Sequence, residues 1–357
     1  MNPLLQVRAE GQQIWLDNLS RTLLRDGHLA RMIAEDGIAG VTTNPSIFHK
    51  AISDGRYYEE DLARLKSRAL DAEARYEQLV VPDVQAACDL LHRTFEISEG
   101  AAGYVSLEVS PELADDAGAT VEAGVRLHQA VGRKNLLVKV PATRAGLQAI
   151  EELIARGISV NVTLMFSLAH VESVAQAYVR GLERLVAAGM DPRSVMSVAS
   201  LFLSRVDTLI DRELEARHAR SALRGKSAVA LARTAYQAYL ARFHGEAFAG
   251  LRAAGARPQY LLWASTGTKN PAYSDLLYVE PLIGPETVNT LPDATLAALL
   301  DHGHVERTLE HGSEEARAQL EALADAGFDL DAIGEQLQAD GLEQFRKAFS
   351  ALLELTA

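Results

Sequence analysis

Residues 135–143 read NLLVKVPAT. Leu136, Leu137, Val138, Val140 and Pro141 surround a single charge, Lys139. A short apolar run without alternation is the pattern of a strand buried on both faces, as in a parallel sheet covered by helices. A lysine inside such a run has three readings. It can face solvent from an edge strand, it can snorkel out of the core along its own methylene stem, or it can be a desolvated amine nucleophile. The third is costly. A neutral lysine near pH 7 requires a shift of about three units, or ~4 kcal/mol. Folds carry such shifts at functional sites and seldom elsewhere, so the neighbouring strands must separate the readings.

Seven further runs share the β-rich character: IWLDNL (14–19), GVTTNP (40–45), GYVSLEV (103–109), ISVNVTLMF (158–166), SVMSVASLF (194–202), QYLLWAS (259–265) and LLYVEPLIG (276–284). Longer helical patterns separate them. Strands that alternate with helices read as parallel βα units. No GxGxxG follows the first strand, which weakens a doubly wound dinucleotide fold. Eight units in 357 residues predict an α/β fold, a single (β/α)8 TIM barrel spanning residues 1–357. Helical inserts at about 46–102 and 203–258 and a C-terminal helix account for the excess over the ~250 residues of a plain barrel.

Helix punctuation supports this reading. Ser110 and Pro111 read as the start of a helix running to about Val131, stopped by Gly132. Pro82 and Asp83 read as the opening of another. Asp293 reads as the cap of a helix carrying Leu296, Leu299 and Leu300. The second insert holds two helical patterns, about 205–217 and 225–254, without a Pro/Gly/Ser linker. The last helix, about 340–355, presents Leu342, Phe345, Phe349, Leu352 and Leu353 on one face, which predicts packing against the barrel.

Composition narrows the function classes. A hydrophobic content of 48% suits a large core, and a net charge of −13 argues against non-specific nucleic-acid binding without excluding an anionic substrate in a local cationic pocket. The only cysteine, Cys88, rules out an intrachain disulfide framework and fits a reducing compartment. The N-terminus lacks a signal-peptide pattern, and no apolar run approaches the length of a membrane span. A cytoplasmic monomer or homodimer is expected.

In a parallel barrel, catalytic groups sit at the C-terminal ends of the strands. Each of the first seven runs has polar residues there. They are Asp17 with Asn18; Thr42, Thr43 and Asn44; Glu108; Lys139; Asn161 and Thr163; Ser200 followed by Arg205; and Ser265 with Lys269 beyond it. Strand ends are often polar because they enter loops, which accounts for Asn18 or Thr43. It accounts poorly for two carboxylates and a lysine inside apolar strands. Those three groups suit carbon–carbon bond chemistry. An amine converts a ketone to an iminium that acts as an electron sink, one carboxylate takes the proton that triggers cleavage, and the other shuttles protons in imine formation. Arg205 and Lys269 suit a phosphate.

Read together, WLDNLSR (15–21), GVTTNPSIF (40–48), VSLEVSP (105–111), LLVKVPAT (136–143), VNVTLMFS (160–167), SLFLSRVD (200–207) and WASTGTKNPAYSD (263–275) resemble the transaldolase family, with RGKSAVALA and VNTLPDAT as weaker support. The resemblance is to the longer bacterial subfamily of these class I aldolase-type barrels. It implies that Lys139 forms a Schiff base with a ketose, that Asp17 is the general acid/base for cleavage, and that Glu108 and a water held by Thr163 handle imine proton transfers. Asn44, Asn161 and Ser200 would hold hydroxyls of the three-carbon unit, with Thr42 and Phe202 beside them, while Arg205, Ser265 and Lys269 bind phosphate. Sugar phosphates are the implied partners, with no metal or organic cofactor. Many family members carry an arginine where Gly267 stands here, which makes Lys269 the nearest replacement. The implied reaction moves a dihydroxyacetone unit from sedoheptulose 7-phosphate to glyceraldehyde 3-phosphate. A simple fructose-6-phosphate aldolase would share Lys139 and Asp17, and a non-catalytic sugar-phosphate binder would have no use for the buried amine.

Two further motifs carry less. RGKS (224–227) resembles the end of a phosphate-binding loop, but Arg220 occupies the position that needs glycine. His302 and His304 lack a third ligand at suitable spacing.

Overall fold

The computed structural model describes residues 2–217 and 221–357. Arg220, whose identity sets aside the phosphate-loop reading, lies outside the described residues. Eight parallel strands close into a barrel in sequence order. They are β1 (Gln12–Leu16), β2 (Gly40–Val41), β3 (Tyr104–Glu108), β4 (Leu136–Pro141), β5 (Val160–Met165), β6 (Ser197–Phe202), β7 (Tyr260–Ala264) and β8 (Thr287–Leu291). All six residues of β4 are buried, as are all six of β5 and β6. The barrel therefore bears out the fold expected from the continuous apolar runs, which need helices over the outer face. Lys139 stands in register with Glu108 on one side and Asn161 on the other, so three polar side chains share one layer.

The eighth strand differs from expectation. Residues 276–284 form turns and a short 3-10 segment, Glu280–Leu282. Pro281 cannot donate to a strand ladder. The run is apolar because Leu276, Tyr278, Val279, Leu282 and Ile283 pack as a buried loop. The true strand, TVNTL, has three polar residues in five, which conceals it. Inside the barrel Gln12 Nε2 donates to Thr287 Oγ1 at 3.0 Å and Asn289 Nδ2 to the Tyr278 carbonyl at 3.0 Å, while Asn289 Oδ1 has no partner among the described residues.

Several helix boundaries also move. Pro111 starts a 3-10 turn, and the following helix, Ala117–Val131, is capped by Asp116 and ended by left-handed Gly132. Pro82 lies within the helix Ala72–Ile97, which Asp71 caps. Pro292, rather than Asp293, holds the cap position of Asp293–His302. The pattern at 225–254 divides into Ser227–Phe243 and Ala249–Ala253. Gly245 marks the break, where a Cβ would lie 2.4 Å from the Ala241 carbonyl oxygen. The C-terminal helix begins earlier than expected and spans Leu330–Thr356, with Asp329 as its cap.

That helix does more than cover the barrel. Gln338 is buried, and its Nε2 donates to the Ala142 and Leu164 carbonyls, each at 3.0 Å. Both amide hydrogens are thus spent on the exits of β4 and β5. Leu164 adopts a positive φ of 60°, at a register irregularity between β5 and β6. The helix approaches closely at Gly341, where a Cβ would meet the Leu164 side chain at 3.0 Å. No helix among the described residues is long and apolar enough to cross a membrane.

Candidate active site

Lys139 is 5% exposed. Its Nζ donates to Glu108 Oε1 at 2.6 Å and to the Thr43 carbonyl at 2.7 Å. The edge-strand and snorkelling readings are therefore excluded: β4 is hydrogen-bonded on both sides, and the amine stays within the barrel. Thr43 Oγ1 lies 3.0 Å from the other carboxylate oxygen, Glu108 Oε2, and 2.8 Å from the Ser106 carbonyl, which accepts its hydrogen. Burial pushes the Glu108 carboxyl above its ordinary pKa, against the attraction of Lys139. An acid so placed can hold a proton beside the amine.

Above this pair opens a cavity of about 250 Å³ at the C-terminal mouth of the barrel. Asp17, Thr42, Asn44, Lys139, Thr163, Ser200, Phe202, Arg205 and Ser265 all line it. Asp17 follows β1 directly, and its Oδ1 accepts from Thr42 Oγ1 at 2.8 Å. Its pKa is raised by burial, partly opposed by Lys139 and Thr42. Asn44 caps the helix Pro45–Ser53 by accepting from the Ile47 amide. Its carbonyl is thereby occupied, which leaves the amide hydrogens as donors. Thr163 Oγ1 is buried with no hydrogen-bond partner among the described residues.

Glu108 and Asn161 lie beneath the lining. Asn161 accepts from Ser200 Oγ at 2.7 Å and donates to Ser106 Oγ at 2.9 Å, so it orients Ser200 from below. At the opposite side, Arg205 stacks 5.6 Å from the Phe202 ring centroid, and its buried Nη1 has no partner among the described residues. Burial lowers its pKa, with Asp340 opposing. Ser265 has a left-handed φ of 54° and shares a 2.8 Å hydrogen bond with Ser204. Lys269 is exposed and does not line the cavity. Its Nζ lies 3.9 Å from where a Cβ on Gly267 would stand, two residues beyond the lining residue Ser265.

Four polar or aromatic lining residues escaped the sequence reading: Ser46, Thr290, Gln344 and Phe345. Thr290 was hidden by the misplaced eighth strand. Set in its true register, it completes the pattern of a polar residue at every strand exit. Gln344 and Phe345 come from the C-terminal helix, whose apolar face was read only as core. His302 pairs with Asp275 and Asp301 on the surface. Among the described residues no cluster of three or more His, Cys, Asp or Glu side chains could hold a metal ion.

The model of the family described as transaldolase/fructose-6-phosphate aldolase matches residues 14–356. The chain belongs to the transaldolase/fructose-6-phosphate aldolase family. It is 58% identical over 355 residues to a transaldolase of Thiobacillus denitrificans, covering 99% of each chain. It is 50% identical over 353 residues to a transaldolase of Neisseria gonorrhoeae, again covering 99% of each. A transaldolase of Mycolicibacterium smegmatis is 46% identical over 359 residues, covering 99% of this chain and 97% of its own. Membership in this transaldolase/aldolase family accords with the seven motifs in order along the chain.

Proposed function

We propose that the protein is a transaldolase that moves a dihydroxyacetone unit from sedoheptulose 7-phosphate to glyceraldehyde 3-phosphate, within the non-oxidative pentose phosphate pathway. The observation that carries this reading is the buried Lys139–Glu108 pair at the floor of a cavity in which Thr163 Oγ1 and Arg205 Nη1 lack partners among the described residues. Lys139 attacks the ketose carbonyl carbon and forms a C–N bond. Glu108, with a water on the free Thr163 hydroxyl, protonates the carbinolamine oxygen, which leaves as water. Asp17 takes the proton of the hydroxyl on the carbon of the scissile bond that lies farther from the iminium. That oxygen becomes the carbonyl of the departing erythrose 4-phosphate, the bond breaks, and its electron pair forms the enamine double bond as the C=N pair moves to nitrogen. The enamine adds to the acceptor aldehyde, Asp17 returns the proton, and hydrolysis frees Lys139. Asn44 and Ser200 hold hydroxyls, Asn161 orients Ser200, and Arg205 with Ser265 binds the phosphate. The lysine itself supplies the electron sink, so the chemistry calls for no metal or organic cofactor.

Incubation with fructose 6-phosphate and borohydride should add a reduced dihydroxyacetone unit to the peptide containing Lys139. A label on another lysine, or active enzyme without label, would overturn the assignment. A coupled assay with fructose 6-phosphate, with and without erythrose 4-phosphate, separates the two activities of the family. Turnover that requires the acceptor supports transfer. Equal turnover without it would make the protein an aldolase.

A further inference from the structure

Asp17 does not end its hydrogen bonding at Thr42. Thr42 Oγ1 also lies 2.6 Å from Thr290 Oγ1, and Thr290 is 4% exposed at the cavity wall. Three oxygens from three elements thus form a line: Thr290 on β8, Thr42 just beyond β2, and Asp17 just beyond β1. A hydroxyl has one hydrogen to donate. When Asp17 is a carboxylate, Thr42 must spend its hydrogen on Asp17 Oδ1, so the 2.6 Å contact requires Thr290 to be the donor to Thr42. The direction of the chain is fixed by proton count. Asp17 Oδ2 accepts no hydrogen bond from any described residue and is left for substrate.

We infer that Thr290 is a positioning residue for Asp17: its hydroxyl holds Thr42 oriented as a donor to the carboxylate and, when Asp17 takes up a proton, the chain can reverse and release the Thr290 hydrogen toward the cavity. In the carboxylate state the three oxygens share two hydroxyl hydrogens; in the acid state they share three. With a proton on Oδ1, Asp17 donates to Thr42, Thr42 donates to Thr290, and Thr290 turns to a substrate oxygen. Successive hydrogen bonds polarise one another, so Thr290 strengthens the Thr42 bond that favours the carboxylate. The charges facing Asp17 are Lys139 from β4, which favours the carboxylate, and Asp293 from the helix after β8, which disfavours it. Asp293 is itself held by Asn18 at 2.8 Å. Neither is joined to the hydroxyl line, so both remain constant when Thr290 changes.

The inference rests on the acid/base role proposed for Asp17, and the test separates the two. The pH dependence of kcat/KM for donor cleavage is measured for the parent, Thr290→Val, Thr290→Ser, Thr42→Val and the double valine variant. Removing the donor should let burial raise Asp17 further. The acidic limb should therefore move to higher pH, by a few tenths of a unit in Thr290→Val and by about one unit in Thr42→Val. Thr290→Ser should keep the limb at the parent position. The double variant should place the limb where Thr42→Val does, because Thr290 reaches Asp17 only through Thr42. A purely packing role would lower the melting temperature of Thr290→Val and leave the limb in place, and that result would overturn the inference. So would additive shifts in the double variant. Should Thr290→Val fold poorly, the limb of Thr290→Ala decides by the same criterion. Asp17→Asn is run in parallel: full activity there would sink the role of Asp17 itself, whereas loss in Asp17→Asn with an unmoved limb in Thr290→Val would sink only the relay.

Discussion

Lys139 with Glu108 inside the barrel, and Arg21 with Asp83 outside it, are ion pairs of nearly equal burial. Their side chains are 6% and 8% exposed in the first pair, and 5% and 6% in the second. Burial therefore does not distinguish them. Their surroundings do. Arg21 donates from Nε to Asp83, from Nη1 to Asp61 and the Tyr57 carbonyl, and from Nη2 to the Leu79 carbonyl. It also stacks 4.5 Å from the Tyr58 ring, and the Tyr58 hydroxyl completes Asp83. That cluster closes on itself. The Lys139 region leaves Asp17 Oδ2, Thr163 Oγ1 and Arg205 Nη1 without partners among the described residues, around one cavity. Buried polar groups are normally satisfied, so the contrast marks the first cluster as a tie between helices and the second as a place prepared for a ligand.

The comparison breaks most readily at its two cations. Lys139→Met should lower transfer activity by on the order of 10⁴-fold or more, because no other group supplies the electron sink. Its effect on stability should be the smaller one, since the raised pKa of Glu108 lets it take a proton. Arg21→Met should do the reverse. Leaving Asp83 buried without its cation should cost about 3–5 kcal/mol in denaturant unfolding, while Lys139 in the folded fraction still traps ketose. Equal destabilisation by both variants would mean that the clusters do not differ in kind.

Asp17→Asn comes next. It should lower turnover by about 10²–10⁴-fold and leave borohydride trapping at Lys139 intact. Stopped turnover with unimpaired trapping is the signature; turnover within threefold of the parent would remove Asp17 from the chemistry.

Asp207 sharpens the contrast from a third side, because it is buried and hydrogen-bonded but has no paired cation among the described residues. It accepts from the Ala228 amide at 2.9 Å and the Tyr278 hydroxyl at 2.9 Å. Burial pushes its pKa from 3.8 up to about 6. The folded state therefore binds this proton more tightly than the unfolded one. Its contribution to stability is greatest below the unfolded value and is lost as pH rises through the folded value. Between pH 4 and about 6.5 the parent should lose about 2 kcal/mol relative to Asp207→Asn, read from urea unfolding at each pH. A pH-independent difference would mean that the two hydrogen bonds replace a cation fully.

The smallest effects concern the phosphate. Arg205→Ala should raise KM for fructose 6-phosphate by the equivalent of about 1.5–3 kcal/mol, with little change for an unphosphorylated donor. Lys269, exposed and outside the cavity lining, should contribute only roughly twofold to fivefold on substitution by alanine, as surface charge pairs do. Equal changes for both donors would remove either residue from phosphate binding.

How much of this was legible in sequence differs by element. Lys139, Glu108 and Asp17 were readable because a charge inside an apolar run is conspicuous against a local pattern. Thr290 was not, because β8 is polar at three of five positions and a buried loop at 276–284 imitated it. Pro82 misled for a related reason: proline marks a helix start statistically, yet here it lies within a helix whose ends are fixed by Asp71 and Ser98. Gln338, Gln344 and Phe345 were invisible as site residues, since the partners of a surface helix are remote in the chain.

The sequence by itself determined the barrel class, the seven exits that carry polar groups, the lysine and the family, because hydrophobic period and motif order are local properties of the chain. Only the tertiary structure decided which of those polar groups are paired and which are left open, that Glu108 and Asn161 lie under the cavity rather than in it, that Lys139 and Asn161 share a layer, and that the C-terminal helix braces β4 and β5. The reason is physical. Each hydrogen bond that satisfies a buried group joins residues far apart in sequence, such as Gln338 to Leu164 or Thr42 to Thr290, and that pairing exists only once the barrel has closed and set its register.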